Sequence, residues 1–323
     1  MEAKPREQNE ETQKLLQELH QKRNWDGREM CLYKGFWCPV NALHAVLSSQ
    51  KNFKALDTDI ILATMPKAGT VWLKALTFTI ANRRRFSTQT TPLLTTSPHA
   101  LVPFLEFKIF MENENPDLGN ANNILRPRIF STHMPCQVLP NSIFEEKGCK
   151  IIYICRNPLD QFISYRHFLL TNKVDPGYDP LPIDEALEMF CEGINLFGPF
   201  WDHVLGYWNM SPEKVLFLKY EDLKEDTSSN IKKIAEFIGF PFSKDEEKQG
   251  VIEDVEKLCS FSNLKSLEKA FLEKNPDQPG LRKGVYRKGE VGDWVNHMSS
   301  AMAERVQKLM EEKLRGSGLT FKS

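Results

Sequence analysis

The stretch Ile61–Leu76 reads ILATMPKAGTVWLKAL. An apolar run meets Pro66, Lys67 and Gly69, and a helix-like pattern follows at once. A buried strand that passes through a glycine-bearing turn into a helix is a natural anion site. The free N–H groups of the first helical turn and the helix dipole both favour negative charge there. The lysine precedes the glycine, however, whereas the P-loop order is G-x-x-x-x-G-K-[ST]. The turn predicts an anion held in some other way than a triphosphate.

Working outward, the first strand, DIILATM (59–65), has three companions: RIFSTH (128–133), KIIYICR (150–156) and KVLFLKY (214–220). Nearly continuous apolar runs in three of the four mark a parallel sheet covered on both faces. Helical patterns alternate with them: TVWLKALTFTIANR after the first strand, LDQFISYRHFLL after the third and NIKKIAEFIGF after the fourth. This alternation predicts an α/β fold, a single domain with a central, mostly parallel sheet between helices. Ligands of such folds bind beyond the carboxyl ends of the strands, so each strand end should face one site. Residues 1–24 read as a flexible arm with a short amphipathic helix around TQKLLQELHQ, and 25–323 as the domain. The segment 87–107 reads as a loop-and-helix excursion and 262–286, rich in Lys, Pro and Gly, as a mobile flap.

The chain has 323 residues, enough for an ample core, and 42 Lys+Arg against 43 Asp+Glu. That near-neutral balance disfavours a nucleic-acid partner, which usually demands a basic excess. No segment approaches the roughly 18 apolar residues a membrane span needs. The polar start MEAKPREQNEETQ does not resemble a signal peptide. Seven scattered cysteines without a C-x-x-C suggest free thiols rather than a disulfide framework or a zinc site. Together these predict a cytoplasmic protein without a metal.

The strand ends supply the chemistry. In the first turn Lys67 adds a full charge to the backbone donors, and Trp72 offers a flat face on which a base can stack. The third strand ends in Arg156, a fork for an anion, where a magnesium-binding NTPase would carry an aspartate. Asn157-Pro158 then opens a helix bearing Ser164. The second strand ends in His133, whose ordinary pKa of about 6.5 suits proton abstraction. The other six histidines (His20, His44, His99, His167, His203, His297) read as structural. Near the C-terminus, YRKGEVGDW (286–294) sets Arg287 and Lys288 beside Gly289, a grip for a terminal phosphate.

The set P-K-x-G-T, T-H-x-P, R-N-P-x-D-x-x-x-S and R-K-G-x-x-G-D-W, in this order over about residues 25–320, resembles the cytosolic sulfotransferases. These use 3'-phosphoadenosine 5'-phosphosulfate (PAPS) and release the bisphosphate PAP. Stretches such as CEGINLFGPFWDHVLGYW look most like the plant branch. The resemblance implies that Lys67 steadies the leaving phosphate, and that Thr70 and the N–H groups of Ala68, Gly69 and Val71 hold the 5'-phosphosulfate. It makes His133 the general base. It assigns the 3'-phosphate to Arg156, Ser164, Arg287, Lys288 and Gly289, and the adenine to Trp72, Tyr220 and Phe261 with Ser260 beside them. No metal is implied. The acceptor would be a small, mostly hydrophobic hydroxyl compound: a flavonoid or other phenol, a steroid-like alcohol, a hydroxyjasmonate-like compound or a desulfoglucosinolate. The family's turn usually reads P-K-S-G-T-T-W; Ala68 and Val71 each remove a hydroxyl here, which predicts weakened cofactor handling. Animal members carry a lysine where this chain has Ser131, and their C-terminal dimerisation motif is missing, so a monomer or weak dimer is expected. The alternatives are a PAPS/PAP-binding homologue with little turnover and, more remotely, a P-loop kinase using Glu221 or Asp222 on magnesium.

Overall fold

The protein is described here by a computed structural model covering residues 10–118, 127–173, 175–274 and 284–322. Among the described residues, seven strands form two sheets. The small one is antiparallel, in the order β1 (Gln21–Arg23), β2 (Glu29–Tyr33), β3 (Phe36–Pro39). The large one is parallel, ordered β5 (Ile129–Thr132), β4 (Ile60–Thr64), β6 (Lys150–Cys155), β7 (Val215–Lys219). Its four strands are the four expected, trimmed by a residue or two at their ends.

Alternation along these strands splits the core in two. Ile60 and Leu62 of β4 join Ile129, Ile152, Ile154 and Leu218 under the Thr70–Asn82 helix, which contributes Leu73, Leu76 and Ile80. Ile61 and Ala63 face the other way, with Phe130, Ile151 and Tyr153, against the Pro158–Thr171 and Phe200–Trp208 helices. Both sheet faces are therefore dry, which is why the strands read as unbroken apolar runs.

The chain runs from β4 to β5 on one side and then crosses to β6 on the other, so the order reverses between β4 and β6. That reversal opens a crevice at the carboxyl ends of these two strands. Their ends are level: Thr64 pairs with Ile154, and Ala63 with Thr132. At the opposite edge Arg128 clamps Asp59 with Nε (2.7 Å) and Nη2, both side chains buried, fixing the β4–β5 pair from below.

Three local features differ from expectation. The small sheet over 21–39 was unforeseen, and it draws in residues assigned to the arm: β1 pairs with β2, and the Glu10–Glu18 helix buries Leu16. In the expected flap, Phe261–Lys274 is a helix, while 275–283 lie outside the described residues, as do 1–9 of the arm. The 87–107 excursion returns beside β5, where Phe104 bridges Ser131 and Ser131 N–H donates to Pro103 O (2.9 Å), delivering Phe104 and Glu106 to the end of that strand. All seven cysteines are free, and no helix among the described residues is long and apolar enough to cross a membrane.

Candidate active site

The turn after β4 folds as its sequence dictates. Lys67 takes φ +66° and Gly69 φ +114°, left-handed values that only glycine adopts without strain. A Cβ at Gly69 would sit 3.0 Å from the Tyr220 ring and 3.2 Å from Ile154, so the position also lacks room. Ala68 N–H closes the turn on Met65 O (3.2 Å), and the Thr70–Asn82 helix starts directly after Gly69. Ala68 is fully buried with its N–H engaged in the turn, so the amide expected to hold the 5'-phosphosulfate is already paired with Met65 O. Val71 and Trp72 stay partly exposed at the helix start.

The expected cations converge on this turn. Lys67 Nζ donates to Val285 O (2.9 Å) and lies over the Phe168 ring (4.6 Å). Burial pushes it down to about 8; Arg156 and Arg287 add to that push, and Glu268 opposes it. Arg156 Nη2 donates to Glu290 O (2.6 Å), and its guanidinium lies over Tyr220 (4.6 Å). The Nε donors of Arg156 and of Arg287 are buried and have no partner among the described residues.

Two carboxylates that sequence reasoning passed over organise this grip. Asp160, 3.7 Å from Arg156, accepts the N–H groups of Gly292 (2.7 Å) and Trp294 (3.1 Å), tying the C-terminal loop to the Pro158–Thr171 helix. Ser164 lies buried one turn further along that helix. Asp293 receives Arg287 and Lys288 (2.6 Å each) and Asn296 (3.0 Å). Burial raises its carboxyl, but these hydrogen bonds outweigh burial and hold it well below the usual carboxylate range. Lys288, expected as a free phosphate ligand, is thus engaged by Asp293.

The aromatic residues gather beside the cations. Trp72 meets Tyr220 edge-on (5.5 Å), and Phe261 meets Tyr286 (5.8 Å). Gly289, at φ +69°, is pressed on Phe261 so closely that a Cβ would approach its ring to 2.4 Å. Ser260 Oγ accepts from Asn263 N–H (3.3 Å) at the start of the same helix.

His133 sits at the end of β5, opposite the turn. Its Nδ1 is 2.7 Å from Thr64 O, an acceptor only, so Nδ1 carries the hydrogen and Nε2 keeps its lone pair. Thr64 Oγ1 is 3.1 Å from the same nitrogen and 2.7 Å from Thr70 Oγ1. A chain of hydrogen-bonding groups therefore links the histidine to the first residue of the helix. Burial pushes His133 down to about 3, against the hydrogen bond to Thr64, so the ring is a neutral base. Phe104 (4.7 Å), Phe197 (5.5 Å) and Phe107 (6.2 Å) surround it. Phe197 holds φ +63°, kept there by hydrogen bonds between its own N–H and Trp37 O (2.8 Å) and between Trp37 N–H and Gly198 O (2.9 Å). The small sheet thereby holds Phe197 against the histidine. From below, His203 Nε2–H donates to His133 O (2.9 Å) and Tyr207 OH to Met134 O (2.7 Å). The stretch WDHVLGYW thus buttresses the strand end that carries His133.

A second cluster lies behind Phe104. Lys74, buried to 0% exposure, lies 2.9 Å from His99 Nδ1 and 3.5 Å from the Phe104 ring centre. Glu106, equally buried, accepts the His133 backbone N–H (2.7 Å), and burial lifts its carboxyl to about 7. The available signals were a charge inside the apolar run VPFLEF and a lysine one helical turn beyond Thr70.

A parallel sheet with a cationic, anion-seeking turn and a neutral histidine opposite defines an enzyme that moves a charged group from a phosphate-bearing donor. Comparison with known proteins identifies the group. Residues 57–318 match the sulfotransferase domain family. Cytosolic sulfotransferase 15 of Arabidopsis thaliana is 46% identical over 320 residues, covering 97% of this chain and 87% of its own length. Flavonol 4'-sulfotransferase of Flaveria chlorifolia is 44% identical over 299 residues, 90% of this chain and 89% of its own. Among solved structures, an Arabidopsis thaliana protein described as a steroid sulphotransferase superposes with TM-score 0.75 at 37% identity, over 96% of this chain and 94% of that one. A mouse sulfotransferase complexed with PAP superposes with TM-score 0.66 at 28% identity, over 89% and 95%. The chain belongs to the sulfotransferase family, and it is an enzyme of sulfuryl transfer.

Proposed function

We propose that the enzyme takes the sulfuryl group of PAPS and passes it to a hydroxyl of a small, mostly aromatic acceptor, in the cytosol its relatives are named for, with His133 as general base. The observation that carries this is the link Thr70–Thr64–His133, which ties a neutral imidazole with a free Nε2 to the phosphate turn.

The site fits the donor. The two orphaned Nε donors of Arg156 and Arg287 are buried groups that a 3'-phosphate satisfies, with Ser164, Lys288 and the Gly289 backbone beside them. Trp72, Tyr220, Phe261 and Ser260 flank the base. The turn's other N–H groups and Thr70 take the 5' end. PAPS supplies a sulfuryl group on a phosphate that departs with added negative charge. Lys67 meets that charge, while His133 Nε2 takes the acceptor's proton as the new oxygen–sulfur bond forms. The rings of Phe104, Phe107 and Phe197 sandwich a flat acceptor against the base.

The test is transfer from radiolabelled PAPS to a panel of phenols and alcohols, with and without EDTA, beside calorimetric titration with PAP. Micromolar PAP binding and EDTA-indifferent transfer are expected. Loss of activity with EDTA would point to the kinase alternative, and PAP binding without any transfer to the low-turnover homologue. One substitution probes the nucleotide pocket alone. Gly289→Ala drives a methyl into Phe261 at a left-handed backbone position, and PAP affinity should fall about tenfold or more. Unchanged affinity in the titration would remove Gly289 and Phe261 from the site.

A further inference from the structure

The mechanism above leaves unused the cluster of Lys74, His99 and Glu106. Lys74 lies one helical turn beyond Thr70, on the same face of the helix, which aims it at the end of β5. His99 is half-buried, stacked on Phe104 (5.4 Å, 29°), and Phe104 in turn contacts His133 (4.7 Å). The two imidazoles therefore touch the same phenyl ring. The shared contact with Phe104 sets His99 one ring away from His133. Burial keeps it neutral, so one ring nitrogen carries a hydrogen and the other a lone pair. Lys74 Nζ has hydrogens to give, and it meets Nδ1. With Lys74 as the donor in this pair, the hydrogen of His99 resides on Nε2, for which no partner is seen among the described residues.

Resting on the sulfotransferase mechanism proposed above, we infer that His99 is a second acceptor-binding group, a hydrogen-bond donor whose tautomer Lys74 fixes. Its Nε2–H holds an oxygen of the acceptor other than the one that reacts at His133. The acceptor class this selects is a flat aromatic with two oxygens on different parts of its ring system: one hydroxyl that is sulfated, and one hydroxyl, ether or carbonyl that only accepts. A monohydroxylated aromatic fills the same space but leaves His99 unpaired, and a site built around a donor discriminates against it.

The experiment uses the full chain, PAPS and three probes: 2-naphthol, and its methoxy and hydroxy derivatives with the second oxygen on the far ring. Wild type should prefer the better two-oxygen probe over 2-naphthol by about tenfold in kcat/KM, the value of one good hydrogen bond. In His99→Phe, which keeps the stack on Phe104, that preference should shrink to within about twofold. PAP affinity by titration should stay within about twofold, because the contacts of His99 are with Ser97, Lys74 and Phe104 and not with the residues assigned to the nucleotide. Lys74→Met leaves His99 in place but releases its tautomer. It should erode the same preference, and a 15N spectrum should show the His99 tautomers mixing. A preference that survives both substitutions, or a wild type without one, overturns the inference while leaving sulfuryl transfer intact. Failure to bind PAP, or to sulfate any of the three probes, overturns the proposed function or its aromatic acceptor class, and this inference with it.

Discussion

His133→Ala should lower kcat by about 10²- to 10⁴-fold, the usual worth of a positioned general base, while PAP binds as before. The neighbouring imidazoles do not replace it: His203 spends Nε2 on the His133 carbonyl and lies against Tyr153 OH with Nδ1 (2.9 Å), and His99 meets Lys74 with Nδ1 (2.9 Å) and stands behind Phe104. The pH profile adds a second check. Because burial holds His133 at about 3, the ring loses no base form until the solution becomes strongly acidic. The acid side of kcat/KM should therefore be flat from about pH 7 down to about pH 5, without the limb near 6.5 that an ordinary histidine imposes. Full activity in the alanine variant would discard the base, and a limb near 6.5 would show that the imidazole titrates as if in water.

The second large effect concerns Lys67. Lys67→Met should cut kcat by about 10²- to 10³-fold, since a preorganised charge at the leaving group is removed. In the free enzyme its ammonium is held at about 8, so it is charged below that pH and loses its charge as pH rises through it. PAP affinity and kcat/KM for PAPS should accordingly fall on the alkaline side from about pH 8. A bound anion favours the charged form and moves the limb of kcat itself to higher pH. In Lys67→Met the alkaline limb should vanish, and in Lys67→Arg it should retreat beyond the measured range. A limb of unchanged position in the methionine variant would assign it to another group.

Much of this arrangement was legible beforehand because it lies in local patterns. The strand ends, expected at Met65, His133 and Arg156 from where apolar runs stop, fall one residue earlier, and Gly69 follows from the tight passage into a helix. What stayed hidden depends on partners far apart in the chain. Asp160 belongs to the R-N-P-x-D motif, yet its use as an acceptor for the Gly292 and Trp294 amides, 132 and 134 residues away, has no local signature. Lys288 looked free because Asp293 is an acid in a polar stretch, and nothing local shows that it becomes fully buried. His99 read as one more structural histidine because its importance depends on Lys74, 25 residues earlier, bending to meet it. The small sheet over 21–39 escaped because its strands are three to five residues long, below the length at which alternation is informative.

The acids woven into the nucleotide grip also bear on what the enzyme ignores. Arg156, Arg287 and Lys288 face Asp160 and Asp293, so the clasp is close to self-neutralised before any ligand arrives. An unscreened trio of cations would attract every inorganic phosphate and sulfate ion in its surroundings. Here the bulk of the attraction is already internal, and what remains is directional: two guanidinium hydrogens that only a correctly spaced phosphate can reach. If these residues hold the donor as proposed, direction matters beside charge, and inorganic phosphate should compete poorly with PAP in a titration.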